Sequence, residues 1–231
     1  MGKLVDLEFN NVDMTLDEQG KHLSPSQVAN DFETAVAIAR DTQRLSLTNI
    51  RVLISATGKE HYRQFDAICK LCKLIKIPSI TVPSAQFGTP FNEEVEHLRE
   101  LVALAAIEGV TVSMHTHVGC MAQDPATIQV LCDNVQGLGI TLDPSHFICR
   151  EEGPASYDKV LKYVKHVYLR DTSKTEMQVR IGQGEVDYGR LITMLGKLGY
   201  NRGLTVHMPP LEDTDQMAEM RKMRLLIESL L

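Results

Sequence analysis

The sequence has no run of the roughly 18 apolar residues that a membrane-spanning helix needs, and it has no charged-then-apolar leader. Asp6 also stands where a myristoylation signal would carry Ser or Thr. We therefore expect neither a membrane partner nor export.

An excess of positive charge is missing as well. The formal net charge is −6, so the chain has no basic surface of the kind that neutralises phosphates. This balance argues against nucleic acid as a partner and favours a small-molecule substrate.

The cysteines do not suggest a disulfide framework. There are five of them, an odd number, scattered through helical and strand-like segments. We expect free thiols and a cytoplasmic location. Cys69 and Cys72 have C-x-x-C spacing, but they lie in an amphipathic helical pattern and no second pair completes a zinc site. We interpret them as core residues.

Strand-like and helical segments alternate along the whole chain. Short β-branched or apolar runs are separated by segments with apolar residues at helical spacing, such as Phe65, Ile68, Cys69 and Cys72. This alternation predicts a parallel α/β fold, a TIM (β/α) barrel forming one domain over residues 1–231, with an open doubly wound sheet as the alternative. The predicted strands cover residues 4–9, 50–55, 79–83, 110–115, 139–143, 166–171 and 203–208.

These are seven strands, whereas a closed barrel of this type has eight. Because the first predicted strand lies close to Met1, we expect the missing unit to be the N-terminal one. The first and last strands would then expose unpaired backbone groups. They could pair directly with each other, or a second copy of the chain could cover the gap, so a homodimer is a further expectation.

Polar residues collect late in the last four predicted strands. Alternate side chains of a strand share one face, which groups Ser113 with His115 and His117, Thr141 with Asp143, His166 with Tyr168 and Arg170, and Thr205 with His207. The carboxyl ends of barrel strands open on one side of the molecule, where sites are built. We therefore predict one shared polar site that contains His115, Asp143, His146 and His207. His22, His61 and His97 lack such partners, and we interpret them as surface residues.

Residues 182–184, with the sequence GQG, have two readings. They lack the third glycine of a dinucleotide fingerprint and do not directly follow a strand. They form either a turn before a helix that Asp187 caps, or a loop that covers the site.

Five segments resemble the sugar phosphate isomerase/epimerase family, the xylose isomerase-like TIM barrels that also include endonuclease IV. The two most specific lie in residues 138–146 (LGITLDPSH) and 182–188 (GQGEVDY). The other three are residues 109–119 (GVTVSMHTHVG), 166–171 (HVYLRD) and 198–207 (LGYNRGLTVH). Residues 4–8 (LVDLE) are similar to the family's second-strand motif, which makes Glu8 a candidate substrate-binding residue.

The resemblance implies a divalent-ion site, which family members build from Glu, Asp, His and Glu. The matching positions here are His115, Asp143, Tyr168 and His207, so three of the four differ. His115, Asp143 and His207 still form a two-histidine, one-carboxylate set, which suits Mn, Zn, Fe or Co better than Mg.

The resemblance also implies roles for the other candidates. His146 matches the histidine that contacts substrate, and His117 is a reserve base or a fourth ligand. Asp171 matches the acidic end of a family strand and, with Arg180, would orient the substrate. Tyr168 is a further substrate-binding candidate.

Two functions from different classes follow from these residues. The first is a metal-dependent isomerase or epimerase of a small polyhydroxylated carbonyl compound, which transfers a proton beside the carbonyl. The second is a catalytically degenerate barrel that binds sugars or other subunits, since both family glutamates are absent. A nuclease would need a basic groove and a cluster of several zinc ions, which this acidic chain does not offer.

Overall fold

The computed structural model describes residues 1–20 and 22–231. Its seven strands form one parallel sheet that curls into a nearly closed barrel. The strand order follows the chain, which confirms the barrel prediction, because a doubly wound sheet reverses its order partway. The strands are β1 (Asn11–Asp17), β2 (Ser46–Leu53), β3 (Ser79–Pro83), β4 (Thr111–His115), β5 (Gly139–Leu142), β6 (Val164–Leu169) and β7 (Leu204–Val206).

Helices connect successive strands and surround the barrel. They are α1 (Gly2–Asp6), α2 (Pro25–Asn30), α3 (Phe32–Arg40), α4 (Gly58–Ile75), α5 (Phe91–Ile107), α6 (Pro125–Asn134), α7 (Ser145–Ile148), α8 (Tyr188–Lys197) and α9 (Gln216–Glu228). Within the described residues, no helix is both long and apolar enough to cross a membrane.

The predicted first strand is wrong. Residues 4–9 belong to α1 and the turn after it, and the strand begins only at Asn11. A short apolar run fits a strand and a helical turn equally well, whereas β1 has the clearer alternation, with Met14 and Leu16 buried on one face. The other six predicted strands overlap the observed ones.

The apolar core lies between the sheet and the helices. Side chains such as Val112, Met114, Leu142 and Leu169 leave the strands on that face and are buried. Cys69 and Cys72 lie on α4 and are also fully buried as free thiols, so their interpretation as core residues is confirmed.

The barrel interior carries a layer of hydrogen-bonded polar side chains instead. The amide of Asn49 donates to Thr81 Oγ1 at 3.0 Å and lies 3.4 Å from Tyr168 Oη. The hydroxyls of Thr81 and Ser113 each lie 2.7 Å from Thr141 Oγ1. Buried polar groups are tolerated when they satisfy one another in this way, and this layer forms the floor beneath the strand ends.

A seam separates β1 from β7, because the strand order ends at these two strands and no ladder joins them within the described chain. Side chains bridge it: Asp13 on β1 accepts a 2.6 Å hydrogen bond from His166 Nε2 on β6, and Thr205 Oγ1 on β7 lies 3.0 Å from the same nitrogen. A cavity of about 570 Å³ opens at the seam, and its lining includes Asn11 and Val206. A homodimer that covers the seam stays a prediction.

Candidate functional site

Four histidines and one aspartate lie near one another at the carboxyl ends of the strands. His115 ends β4, Asp143 follows β5, His207 follows β7 and His146 lies on α7. His117 lies two residues beyond β4, with its ring centroid 4.2 Å from that of His146. We call these five residues the histidine cluster.

Asp143 is the centre of the cluster and is fully buried. Its Oδ1 accepts hydrogen bonds from the Ser145 amide at 3.1 Å and from the Ser145 hydroxyl. Its Oδ2 accepts a 2.7 Å bond from Arg170 Nη2 and lies 3.6 Å from His115 Nε2. Burial alone would raise the pKa of Asp143, but the nearby His115 and the positive charge of Arg170 outweigh it and lower the pKa.

The buried imidazoles are held neutral. Burial lowers the pKa of His115, and it lowers the pKa of His146 to about 3 and that of His207 to about 4, with Asp143 opposing the shift in each case. A neutral imidazole offers a lone pair to a metal ion or a proton.

Two ring nitrogens of the cluster have no hydrogen-bond partner in the described structure, His115 Nε2 and His207 Nδ1. Buried polar atoms without partners are rare, and neutral imidazole nitrogens of this kind fit a metal ion as its ligands. One ligand atom from each of His115, Asp143 and His146 also lies within 4.8 Å of the others. The ring centroid of His207 lies 6.3 Å from that of His115, and its ring stacks on Tyr168 at 4.6 Å.

The Val118 peptide unit contacts two neighbouring histidines, whose ring planes are tilted by 38° to each other. Its carbonyl oxygen accepts a hydrogen bond from His117 Nδ1, which leaves a neutral His117 with a free lone pair on Nε2. Its amide N–H lies 3.2 Å from His146 Nδ1, while Arg170 Nη2 donates to His146 Nε2 at 2.7 Å. A neutral imidazole has one lone pair for these two donors, and the shorter bond from the charged guanidinium favours the lone pair on Nε2.

Two of the candidate residues have other partners. Asp171 accepts hydrogen bonds from the backbone amides of Thr172, Gly182 and Gly184. Arg180 is exposed and donates to the Thr214 hydroxyl and to the Asp213 carbonyl oxygen. The structure therefore joins these two residues to loops rather than to the histidine cluster.

Glu8 follows α1, not a strand, and its exposed carboxylate pairs with Arg224 on α9 at 2.6 Å. Tyr168 lies beside the cluster, but its hydroxyl points into the polar layer near Asn49. Asp187 caps α8 by accepting from the Arg190 amide, as the turn reading of residues 182–184 predicts.

Two further residues at the strand ends were given no role from the sequence. Arg170 shares the inward face of β6 with His166 and Tyr168 by alternation, and Arg51 shares the inward face of β2 with Asn49. The alternation of side chains along these strands could therefore have identified both arginines from the sequence.

His61 and His97 are not isolated surface residues, since their rings are 5.0 Å apart and Tyr62 Oη lies 3.1 Å from His97 Nδ1.

Comparisons with known proteins agree with this architecture. Residues 3–224 match the sequence profile of a family described as "Xylose isomerase-like TIM barrel". No curated protein sequence matches the chain significantly.

Three solved structures illustrate the shared fold. A xylose isomerase domain protein from Planctomyces limnophilus is 18% identical, with a TM-score of 0.77, covering 99% of this chain and 91% of that one. A D-tagatose 3-epimerase-like protein is 16% identical, with a TM-score of 0.75 and coverage of 99% and 93%.

The third is a xylose isomerase-like TIM barrel protein from Mycobacterium smegmatis in complex with magnesium. It is 15% identical, with a TM-score of 0.77 and coverage of 99% and 87%. At these identities the similarity of structure shows the fold alone. Since the family profile spans nearly the whole sequence, the chain belongs to the family of xylose isomerase-like TIM barrels.

Proposed function

We propose that this protein is an isomerase or epimerase that moves a proton beside the carbonyl group of a small polyhydroxylated compound, with help from a divalent metal ion. The observation that carries the proposal is the histidine cluster at the mouth of the barrel, where His117 Nε2 has a free lone pair and two buried ring nitrogens have no partner. One of the similar structures is described as epimerase-like and another contains magnesium, which supports the same class of chemistry.

His115, Asp143 and His207 are the residues we propose as metal ligands. The first and last have ring nitrogens without partners, and Asp143 supplies the carboxylate. The ligand atom of His146 lies within 4.8 Å of those of His115 and Asp143, but both of its ring nitrogens already have partners, the Val118 amide at Nδ1 and Arg170 Nη2 at Nε2, which makes it less suited. This ligand set suits Mn, Zn, Fe or Co, and such an ion would polarise the substrate oxygens when bound.

The chain's own residues then divide the proton transfer between them. His117 is exposed, and the free lone pair on its Nε2 can accept the proton from the carbon beside the carbonyl. His146, whose ring centroid lies 4.2 Å from that of His117, is the residue we propose to contact the substrate beside the transferred proton. Return of the proton to the neighbouring carbon, together with movement of a hydroxyl proton between the two oxygens, completes an isomerisation. Protonation of the same carbon from its opposite face, by solvent rather than by His117, gives the epimer.

Exchange of carbon-bound hydrogen with solvent tests this proposal directly. The protein would be loaded with Mn²⁺, Zn²⁺, Fe²⁺ or Co²⁺ and incubated in D₂O with a panel of aldoses, ketoses and their acids, with deuterium incorporation followed by NMR. We expect exchange with at least one compound, and His117→Gln should slow it by about 10²- to 10⁴-fold, as removal of a general base does.

His22→Gln is the matched control, because His22 is exposed and lies outside the cluster. Equal exchange rates in His117→Gln and His22→Gln would contradict the assigned base. Binding of a sugar without any exchange would favour the second function named above, a barrel that binds sugars without catalysis.

A further inference from the structure

We propose that the substrate of this site carries a carboxylate, so that the compound is a polyhydroxylated oxo acid, and that Arg51 is the residue that binds it. This inference rests on the proposed function and names its substrate class. It comes from a half-buried arginine at the strand ends that has no partner among the described residues.

Arg51 points into the barrel mouth. Asn49, two residues earlier on β2, reaches Thr81 and Tyr168 inside the barrel, so Arg51 leaves the same face about 6.6 Å further toward the carboxyl end. Its positive charge contributes to the lowered pKa of His115 and of His207, although burial is the larger cause in both. Arg51 therefore lies within electrostatic reach of two residues of the cluster.

Arg51 also lacks a partner. It is half-buried, yet no hydrogen bond or ion pair joins its guanidinium to any residue that the structure describes. The other arginines without partners, Arg40, Arg44, Arg202 and Arg221, are all exposed to solvent. A partly desolvated guanidinium without an anion is unfavourable, and its planar fork suits a carboxylate.

The carboxylates nearby are already engaged by other groups. Asp143 is bound by Arg170 and Ser145, Asp13 by His166 and Thr48, and Asp171 by three backbone amides. None of these three carboxylates pairs with Arg51. A carboxylate on the substrate would supply the partner that its guanidinium lacks.

Binding of three matched six-carbon probes tests the inference without turnover. D-gluconate, D-glucitol and D-glucitol 6-phosphate would be titrated by calorimetry at low salt. We expect gluconate to bind at least 10-fold more tightly than glucitol. Because a hydrogen-bonded ion pair contributes on this scale, Arg51→Gln should remove a preference on the order of 10- to 100-fold.

Arg51→Lys keeps the charge and should retain part of the preference, whereas Arg40→Gln, a change at an exposed arginine on α3, should leave it intact. Raising the salt concentration should weaken the preference of the unmodified protein for gluconate over glucitol. This measurement does not depend on whether Arg51→Gln folds. Equal binding of gluconate and glucitol, or a preference that survives Arg51→Gln, would overturn the inference. Tighter binding of glucitol 6-phosphate than of gluconate would overturn the carboxylate assignment.

The two proposals fail in different ways. Deuterium exchange with neutral sugars and no preference for gluconate would leave the proposed function standing and refute the anion receptor. A gluconate preference that depends on Arg51, with no exchange in any compound, would support the receptor and contradict the proposed reaction.

Discussion

Replacing Asp171 tests whether this buried carboxylate anchors a loop. Its oxygens accept from the Thr172 amide at 3.1 Å, from Gly182 at 2.8 Å and from Gly184 at 3.0 Å. A Cβ atom on Gly184 would lie 2.0 Å from Asp171 Oδ1, so the backbone approaches as closely as only glycine allows. The carboxylate thus ties the loop between β6 and α8 to the end of β6.

The expected loss of stability follows from these three bonds. Each hydrogen bond to a charged group contributes about 1.5–3 kcal/mol to stability. In the variant, water can bond to some of the freed amides of the half-buried loop and so reduce the loss. We expect Asp171→Ala to lower the free energy of unfolding by about 3–5 kcal/mol. Asp171→Asn can keep the two glycine bonds through its amide oxygen, so it should cost only about 1–2 kcal/mol.

Urea denaturation with linear extrapolation measures both changes. Asp158→Asn is a matched control, because Asp158 forms an exposed pair with Arg190 and should contribute about 0–1 kcal/mol. The loop should also become more sensitive to proteolysis in Asp171→Ala. The free energy of unfolding of Asp171→Ala could instead lie within about 1 kcal/mol of that of the original protein, while the variant no longer exchanges hydrogen in the substrate. That result would support the catalytic role predicted from the sequence and refute the role of Asp171 as a loop anchor.

Three further predictions concern the whole fold. His146 and His207 have folded-state pKa values below 6.5, so stability should be fully present above about pH 6.5 and fall as the pH drops toward 4, by up to about 1.4 kcal/mol per pH unit for each group. A flat urea midpoint between pH 7 and 4.5 would contradict this. Asp13→Asn should destabilise the barrel by about 1–3 kcal/mol, because it weakens the bond to His166 across the seam; an unchanged urea midpoint would refute that bridge. Three of the five thiols are buried, so a thiol reagent should label at most two quickly in the native state, and fast labelling of all five would show that α4 and α6 do not pack as described.

The strands were predictable because their signal is local. Alternation of side chains along each run identified six of the seven and indicated that His115, Asp143 and His207 reach one end of the barrel. The first strand was misplaced since the apolar residues of 4–9 have the same local pattern as a helical turn. Residues 11–17 have the better alternation, and the observed strand follows it.

The sequence by itself determined the parallel barrel, the apolar face toward the helices and the set of polar residues at the strand ends, because each depends on periodicity along a few neighbouring residues. Only the tertiary structure decided which partner each polar group has. The bond of Arg170 to Asp143, the Val118 peptide between His117 and His146, and the isolation of Arg51 join residues from different strands and loops. No pattern within one strand encodes such contacts, since they arise only when the closing barrel brings distant segments within hydrogen-bond distance.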